Sequence, residues 1–257
     1  MFKRNIKFYS AVFFVLALAG CVSSAGKSGS PHWAYTGNEG PQYWGDMSPA
    51  YVLAKEGKAQ SPINIDTNAL AQSGTVKKPL FKLVSEKFEL ENNGHTIELI
   101  PVQKLSAVIL DDAQYTVQQF HFHLPAEHTV AGKSFAMELH IVCKDAQENI
   151  AVIAVFIIPG NENKALNEVF AHAPSRQSEK IELKTALDMN EFISAATLFY
   201  RYDGSLTTPP CTEGVKWCIA DKPIQASQAQ IDSFTKIYSG NNRPVQNLNG
   251  RVVYTAK

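Results

Sequence analysis

The chain is 257 residues long, 45% hydrophobic and 19% charged, with 24 Lys and Arg against 24 Asp and Glu. That composition excludes a disordered chain, and a neutral balance without basic blocks gives no electrostatic footprint for nucleic acid. The length suits one large domain with a core of its own.

In chain order, a targeting segment comes first. Lys3, Arg4 and Lys7 make a positive start, and Phe8 to Gly20 is an apolar run too short to span a bilayer comfortably. The run ends in Leu18-Ala19-Gly20-Cys21, which resembles a bacterial lipoprotein box. Residues 1–20 are therefore expected to be a signal peptide, and Cys21 a lipidated residue. The small, polar stretch that follows makes 21–30 a flexible tether. Its acyl chains would hold the protein in the periplasm on a membrane; Val22, where an inner-membrane protein often has Asp, favours the outer one. No second linker or repeat follows, so 31–257 reads as one domain.

Within that domain strands dominate. "HTIELI" and "FHFHL" alternate with period two, and "SFAMELHIVCK" and "NIAVIAVFII" are longer β-type runs bounded by "GK", "DAQEN" and "PG". "NKALNEVFAHA" and "QAQIDSFTKIY" carry helical spacing. The expected fold is mainly β (α+β): a single domain with a large, mostly antiparallel, twisted central sheet and short peripheral helices.

"QFHFHLPAEHTV", Gln119 to Val130, packs three of the chain's seven histidines beside Glu127. On a strand, His121 and His123 project to one face about 7 Å apart. An antiparallel return through "MELHIV" brings His140 alongside, and three imidazoles at one point suit zinc with an open position. A His-x-His pair is equally an ordinary exposed strand face, so the pair alone leaves both readings open. His121, His123 and Glu127 also resemble part of a cupin metal motif. That motif wants Gly six residues before the first His, where Tyr115 stands, and Pro and Gly before a later His, which "SFAMELH" lacks.

"GSLTTPPCTEGVKW" (Gly204 to Trp217), "QSPINI" (Gln60 to Ile65), "NNGHTIEL" (Asn92 to Leu99) and "HWAY" (His32 to Tyr35) bear on the choice. Together they resemble the α-class carbonic anhydrases, from about His32 to Arg251 and in the family's order. The resemblance implies reversible hydration of carbon dioxide to bicarbonate and a proton by zinc-bound hydroxide. It makes His121, His123 and His140 the Zn²⁺ ligands. Gln119 and Glu138 become the hydrogen-bond partners of His121 and His140, and the Asn241 carbonyl that of His123. Thr207 would accept from the hydroxide and donate to an ionised Glu127. Val142, Val152, Leu206 and Trp217, with Thr208, would line the carbon dioxide pocket. His95 would shuttle protons, with Tyr35 and Asn93 ordering the water between, and Glu98 would raise the His95 pKa. His128 would point away from Glu127 and bond Tyr202, and His32 and His172 would be surface or structural residues. Cys211 would have lost its usual partner, because Ala54 stands at the matching position, and Cys143 and Cys218 would lie on the back face one strand apart. The alternatives are a zinc-dependent esterase and a catalytically silent binding module of the same fold; the three histidines argue against silence. The sequence is silent on oligomeric state.

Overall fold

Period-two burial builds the sheet. In the computed structural model, which describes residues 31–193, 196 and 198–256, Phe88–Asn92 (β1) and Ile97–Pro101 (β2) alternate buried with half-buried residues. They are joined by a turn in which Gly94 takes a φ of 90°, a conformation open to glycine without a Cβ clash. Ala107–Leu110 (β3) and the long Ala113–His123 (β4) follow. Met137–Lys144 (β5) and Ile150–Pro159 (β6) are buried over most of their length, as central strands covered on both faces must be. Phe199–Ser205 (β7), Glu213–Ala220 (β8) and Tyr254–Ala256 (β9) complete the main strands.

The 13-stranded sheet runs Lys180–Glu182, β1, β2, β4, β5, β6, β8, β7, β9 and Ala71–Gln72. Leu80–Lys82, β3 and Ile224–Ala226 pair alongside this path. Most pairings are antiparallel, as expected. Three are parallel: β6 with β8, β6 with Ile224–Ala226, and β9 with Ala71–Gln72. The sheet is therefore mixed.

Two helices close the back face. Lys164–His172 (α1) starts at Asn163, whose side chain accepts from the Ala165 and Leu166 N–H groups. Gln228–Thr235 (α2) starts with a capping box between Ser227 and Gln230. Leu166, Val169, Phe170, Ile231 and Phe234 bury against Phe120, Phe122, Leu139, Ile141 and Ile153 of the sheet. The front face has its own apolar cluster, which includes Ile63, Val152, Ala154, Tyr202, Trp217 and Ile219.

Cys143 and Cys218 are free and lie in the back core. Cys143 pairs with Ala151 and Cys218 with Ile153, on opposite sides of β6, so a strand separates them. Cys211 is also free and buried, and burial pushes its thiol up to about 11, which keeps it protonated and inert.

The expected signal peptide (1–20), Cys21 and the tether (21–30) lie outside the described residues. Among the described residues no helix is long and apolar enough to cross a membrane.

Candidate metal centre

Strand register brings the histidines together. β5 runs antiparallel to β4 and pairs His140 with His121, Glu138 with His123 and Val142 with Gln119, so all six share the front face. A β-bulge at Gln118, opposite the step from Val142 to Cys143, turns Val117 to the back beside Cys143.

Each ring has one nitrogen occupied by an acceptor. His121 Nδ1 is 2.8 Å from Gln119 Oε1, His123 Nδ1 is 2.7 Å from the Asn241 carbonyl oxygen, and His140 Nε2 is 2.8 Å from Glu138 Oε1. These partners are the ones the sequence led us to expect. Each ring donates there, which fixes its tautomer and leaves a lone pair on the other nitrogen. Those free nitrogens, Nε2 of His121 and His123 and Nδ1 of His140, converge within 4.8 Å of one another. His121 Nε2 and His123 Nε2 are 3.0 Å apart, close to the ~3.3 Å edge of a tetrahedron with Zn–N bonds of about 2.0–2.1 Å. Burial holds all three imidazoles below their ordinary pKa, His123 at about 4, so they are neutral ligands at pH 7.

A fourth acceptor faces the same point. Glu127 Oε1 accepts from the Arg243 N–H at 2.8 Å, while the buried Oε2 has no hydrogen-bond partner. Oε2 lies 3.6 Å from His123 Nε2 and 3.9 Å from His140 Nδ1. Three lone pairs and an orphaned carboxylate oxygen around one point are costly unless a cation joins them. The donor set therefore fits a divalent metal, and three nitrogens with an open position fit zinc best. Burial pushes Glu127 up to about 7, against the pull of His140, the Arg243 N–H and the Thr207 hydroxyl. Thr207 is buried beside it, in the loop after β7. A cation at the three nitrogens would favour the ionised form that Thr207 needs.

A second cluster, His128, Glu138 and His140, has a different character. Burial alone would raise the Glu138 pKa, but His128 and His140 hold it well below the carboxylate range. Its oxygens accept from both rings and from the N–H groups of Glu127 and His128. All of its capacity is spent on hydrogen bonds, so it orients His140. His128 bonds Tyr202 at 2.7 Å as expected; its ring goes to Tyr202 and Glu138, while the Glu127 carboxylate goes to the Arg243 N–H and the rings of His123 and His140. Residues 124–128 are not a strand, and it is the backbone N–H groups of Glu127 and His128 that both donate to Glu138.

Val152 and Trp217 are buried in the front cluster, with Val142 and Leu206 packed against it. Thr208 is half-buried in the Thr207 loop and accepts at its carbonyl from the Cys211 N–H.

In the turn between β1 and β2, Asn93 Oδ1 accepts from the His95 and Thr96 N–H groups, both at 2.9 Å. Asn93 thus builds the turn that carries His95. The His95 ring stacks on Trp33, centroids 3.6 Å apart and 7° from parallel, and Tyr35 meets it edge-on at 6.5 Å. Burial first, and then His32, lower the His95 pKa. Glu98 does not raise it, contrary to expectation. Glu98 is itself part-buried, its own pKa raised by desolvation, and it faces Asn93. His32 and His172 are exposed, His172 bonding the Glu168 carbonyl.

Sequence reasoning missed Thr96 and Arg243. Thr96 Oγ1 donates to the Phe122 carbonyl and accepts its N–H, clasping the strand between two ligands. Arg243 is almost fully buried, bonds Gln60, Ser61 and Ala54, and presents its backbone N–H to Glu127. A lone Thr after a turn and a lone Arg in a loop carry no local signal; only the fold gives them meaning.

The family profile for eukaryotic-type carbonic anhydrase matches residues 39–257. A carbonic anhydrase of Klebsiella pneumoniae is 40% identical over 225 residues, covering 86% of this chain and 90% of that protein. One of Pectobacterium carotovorum is 38% identical over 239 residues, covering 93% and 96%. Among solved structures, the complex of the α-carbonic anhydrase of Thermovibrio ammonificans with sulfanilamide matches with a TM-score of 0.83 at 40% identity, covering 88% of this chain and 100% of that one. The match spans the strands that carry the three histidines and the loop that carries Thr207, and the chain belongs to the eukaryotic-type carbonic anhydrase family.

Proposed function

We propose that this protein hydrates carbon dioxide reversibly to bicarbonate and a proton, with zinc held by His121, His123 and His140. The observation that carries the reading is the convergence of three neutral imidazole nitrogens on one point. Zinc supplies Lewis acidity there, and this enzyme class is itself the standard example of a zinc that brings bound water to a pKa of about 7.

The chain's own residues do the rest. Gln119, Glu138 and the Asn241 carbonyl hold the rings in their tautomers. Thr207 would donate a hydrogen bond to Glu127, which leaves the Thr207 oxygen to accept from the reacting water and orient it toward carbon. Val142, Val152, Leu206 and Trp217 give carbon dioxide a dry wall, and Thr208 stands at its edge. His95 takes the proton released in each cycle to solvent, along water ordered by Tyr35 and Asn93.

Stopped-flow carbon dioxide hydration and ester hydrolysis, run on one zinc-loaded sample, test this. Fast hydration with slow ester turnover is expected. Ester hydrolysis as the dominant activity favours the esterase alternative, and no turnover at full zinc loading favours a binding module.

We also propose a periplasmic location with a lipid on Cys21, on the strength of Leu18-Ala19-Gly20-Cys21. Cys21→Ser is expected to leave an active domain in the aqueous phase after detergent partitioning, while the parent enters the detergent. A parent found wholly in the aqueous phase, without the mass of a lipid, refutes the anchor.

A further inference from the structure

The chain as a whole is electrically neutral, but one edge of it is not. Residues 77–87 and 102–109 together hold five lysines and one glutamate. The two segments run side by side: Leu80 pairs with Ile109 and Lys82 with Ala107. The Val84 N–H donates to Ser106 Oγ at 3.2 Å, and the Val102 N–H to the Lys87 carbonyl at 2.9 Å. The glutamate is Glu86, buried and taken up by the N–H groups of Leu105 and Ser106 at 3.0 and 3.1 Å. Lys82, Lys87 and Lys104 stand exposed around it.

The same edge carries the most exposed large hydrophobic side chains among the described residues. Leu80 is 62% exposed, Val102 and Leu105 are each 56% exposed, and Val84 lies beside them at 41%. A single exposed aliphatic residue needs no explanation; four on one edge, set among lysines, mark a surface that meets something. A second copy of this chain fits it poorly, because a two-fold contact would set five lysines against five. An anionic bilayer suits both halves. The aliphatic tips enter the headgroup boundary, and the lysines meet phosphate.

The position of the edge agrees with an anchor at Cys21. His32 lies beside His95 at the start of β2, and Val102 follows the end of β2, roughly 17 Å along the strand. The ten residues 21–30 reach up to about 35 Å. An acyl group on Cys21 can therefore enter the same membrane that the edge touches, with the His95 turn at the far end of β2 from the lipid.

We propose that this lysine-flanked apolar edge docks the domain onto an anionic phospholipid surface and sets its orientation there. This rests on the lipid anchor proposed above: the edge is small, and the anchor raises its effective concentration at the bilayer.

The test places an environment-sensitive dye on Leu105→Cys in the full lipidated protein, whose Cys143, Cys211 and Cys218 are buried. On vesicles of phosphatidylcholine with phosphatidylglycerol, the dye emission is expected to shift to the blue and to be quenched by spin-labelled lipid. On phosphatidylcholine alone, or at high salt, it is expected to stay in water. A dye on the exposed Val245→Cys is the control and should stay in water throughout. Lys82→Gln and Lys104→Gln are each expected to lower the ratio of docked to undocked protein about five-fold, with carbon dioxide hydration unchanged. Equal docking on both lipids overturns the anionic surface as the partner. A blue shift that needs no vesicles and grows with protein concentration marks a contact between copies and overturns it as well. Acyl mass on Cys21 with a Leu105→Cys dye that stays in water on anionic vesicles refutes the docking edge and keeps the anchor. Salt-sensitive docking without acyl mass keeps the edge and refutes the anchor.

Discussion

Along β4, Gln119, His121 and His123 face the cleft, while Phe120 and Phe122, interleaved with them, face the back core. The two sides of one strand obey different rules. On the front every polar atom needs a partner, and the fold supplies Gln119 Oε1, the Asn241 carbonyl and Glu138 for the ligand rings. On the back the requirement is volume, and Phe122 fills it against Phe170 and Phe234. The difference shows how a site can be both polar and rigid: the chemistry sits on one face and the stiffness comes from the other. Thr96 and Asn241 join the two, since both donate to the Phe122 carbonyl between the ligands.

The sharpest way to break this division is to remove a ligand. His140→Asn is expected to lose most of its zinc and at least about 10³-fold in hydration rate, because two ligands on one strand make an incomplete site. It should keep its fold, as the back core is untouched. Circular dichroism, metal analysis and stopped-flow rates check the three parts. A folded variant with one zinc per chain and full activity would show that His140 is not a ligand.

The converse substitution comes next. Phe122→Ala leaves a cavity among Phe120, Phe170 and Phe234, and is expected to cost about 3–5 kcal/mol of stability. That is a factor of roughly 10² to 10³·⁷ in the folding constant. The molecules that remain folded should bind zinc and turn over within about three-fold of the parent. Denaturant unfolding and zinc titration at low temperature measure each side. If zinc affinity falls as steeply as stability, the faces are not separable and the back packing sets the ligand geometry directly.

The same contrast explains what was legible in the sequence. Strand parity exposed His121 and His123 as a pair and put Gln119, Glu138 and Val142 on their face, because period two survives any packing. The long strands were legible for the same reason, and the helices by their 3.6-residue spacing. The loops were not. Past His123 the chain leaves the sheet and parity loses its basis: the backbone N–H groups of Glu127 and His128 both go to Glu138, and their side chains take different partners. Thr207 and His95 sit on turns, where no periodicity points at a target, and only the resemblance singled them out. The pull on His95 was misjudged for a related reason. The sequence offered Glu98 three residues away, whereas the fold brings Trp33 and His32, more than 60 positions distant, onto the ring.

That last point yields the mildest test, at the His95 turn. A group with a pKa near 7 returns its proton to bulk water at only about 10³ s⁻¹ when recapture runs at roughly 10¹⁰ M⁻¹s⁻¹, whereas the best enzyme of this class reaches about 10⁶ s⁻¹. A neighbouring base must close that gap, and His95 is the candidate. His95→Ala is expected to lower kcat about ten-fold in dilute buffer, to spare kcat/KM and to be rescued by imidazole. The pH dependence carries a sign. Hydration needs neutral His95 as acceptor, and burial with His32 lowers its pKa from about 6.5. The shuttle-dependent part of kcat should therefore persist below pH 6.5 and fall as pH drops through the lowered value. In dehydration the donor is the imidazolium, and the same part should fade as pH rises through that value. A midpoint above 6.5, obtained by subtracting the His95→Ala profile from that of the parent, would mean that Glu98 or another carboxylate holds the ring in its charged form and that the contacts at the His95 turn do not set its proton affinity.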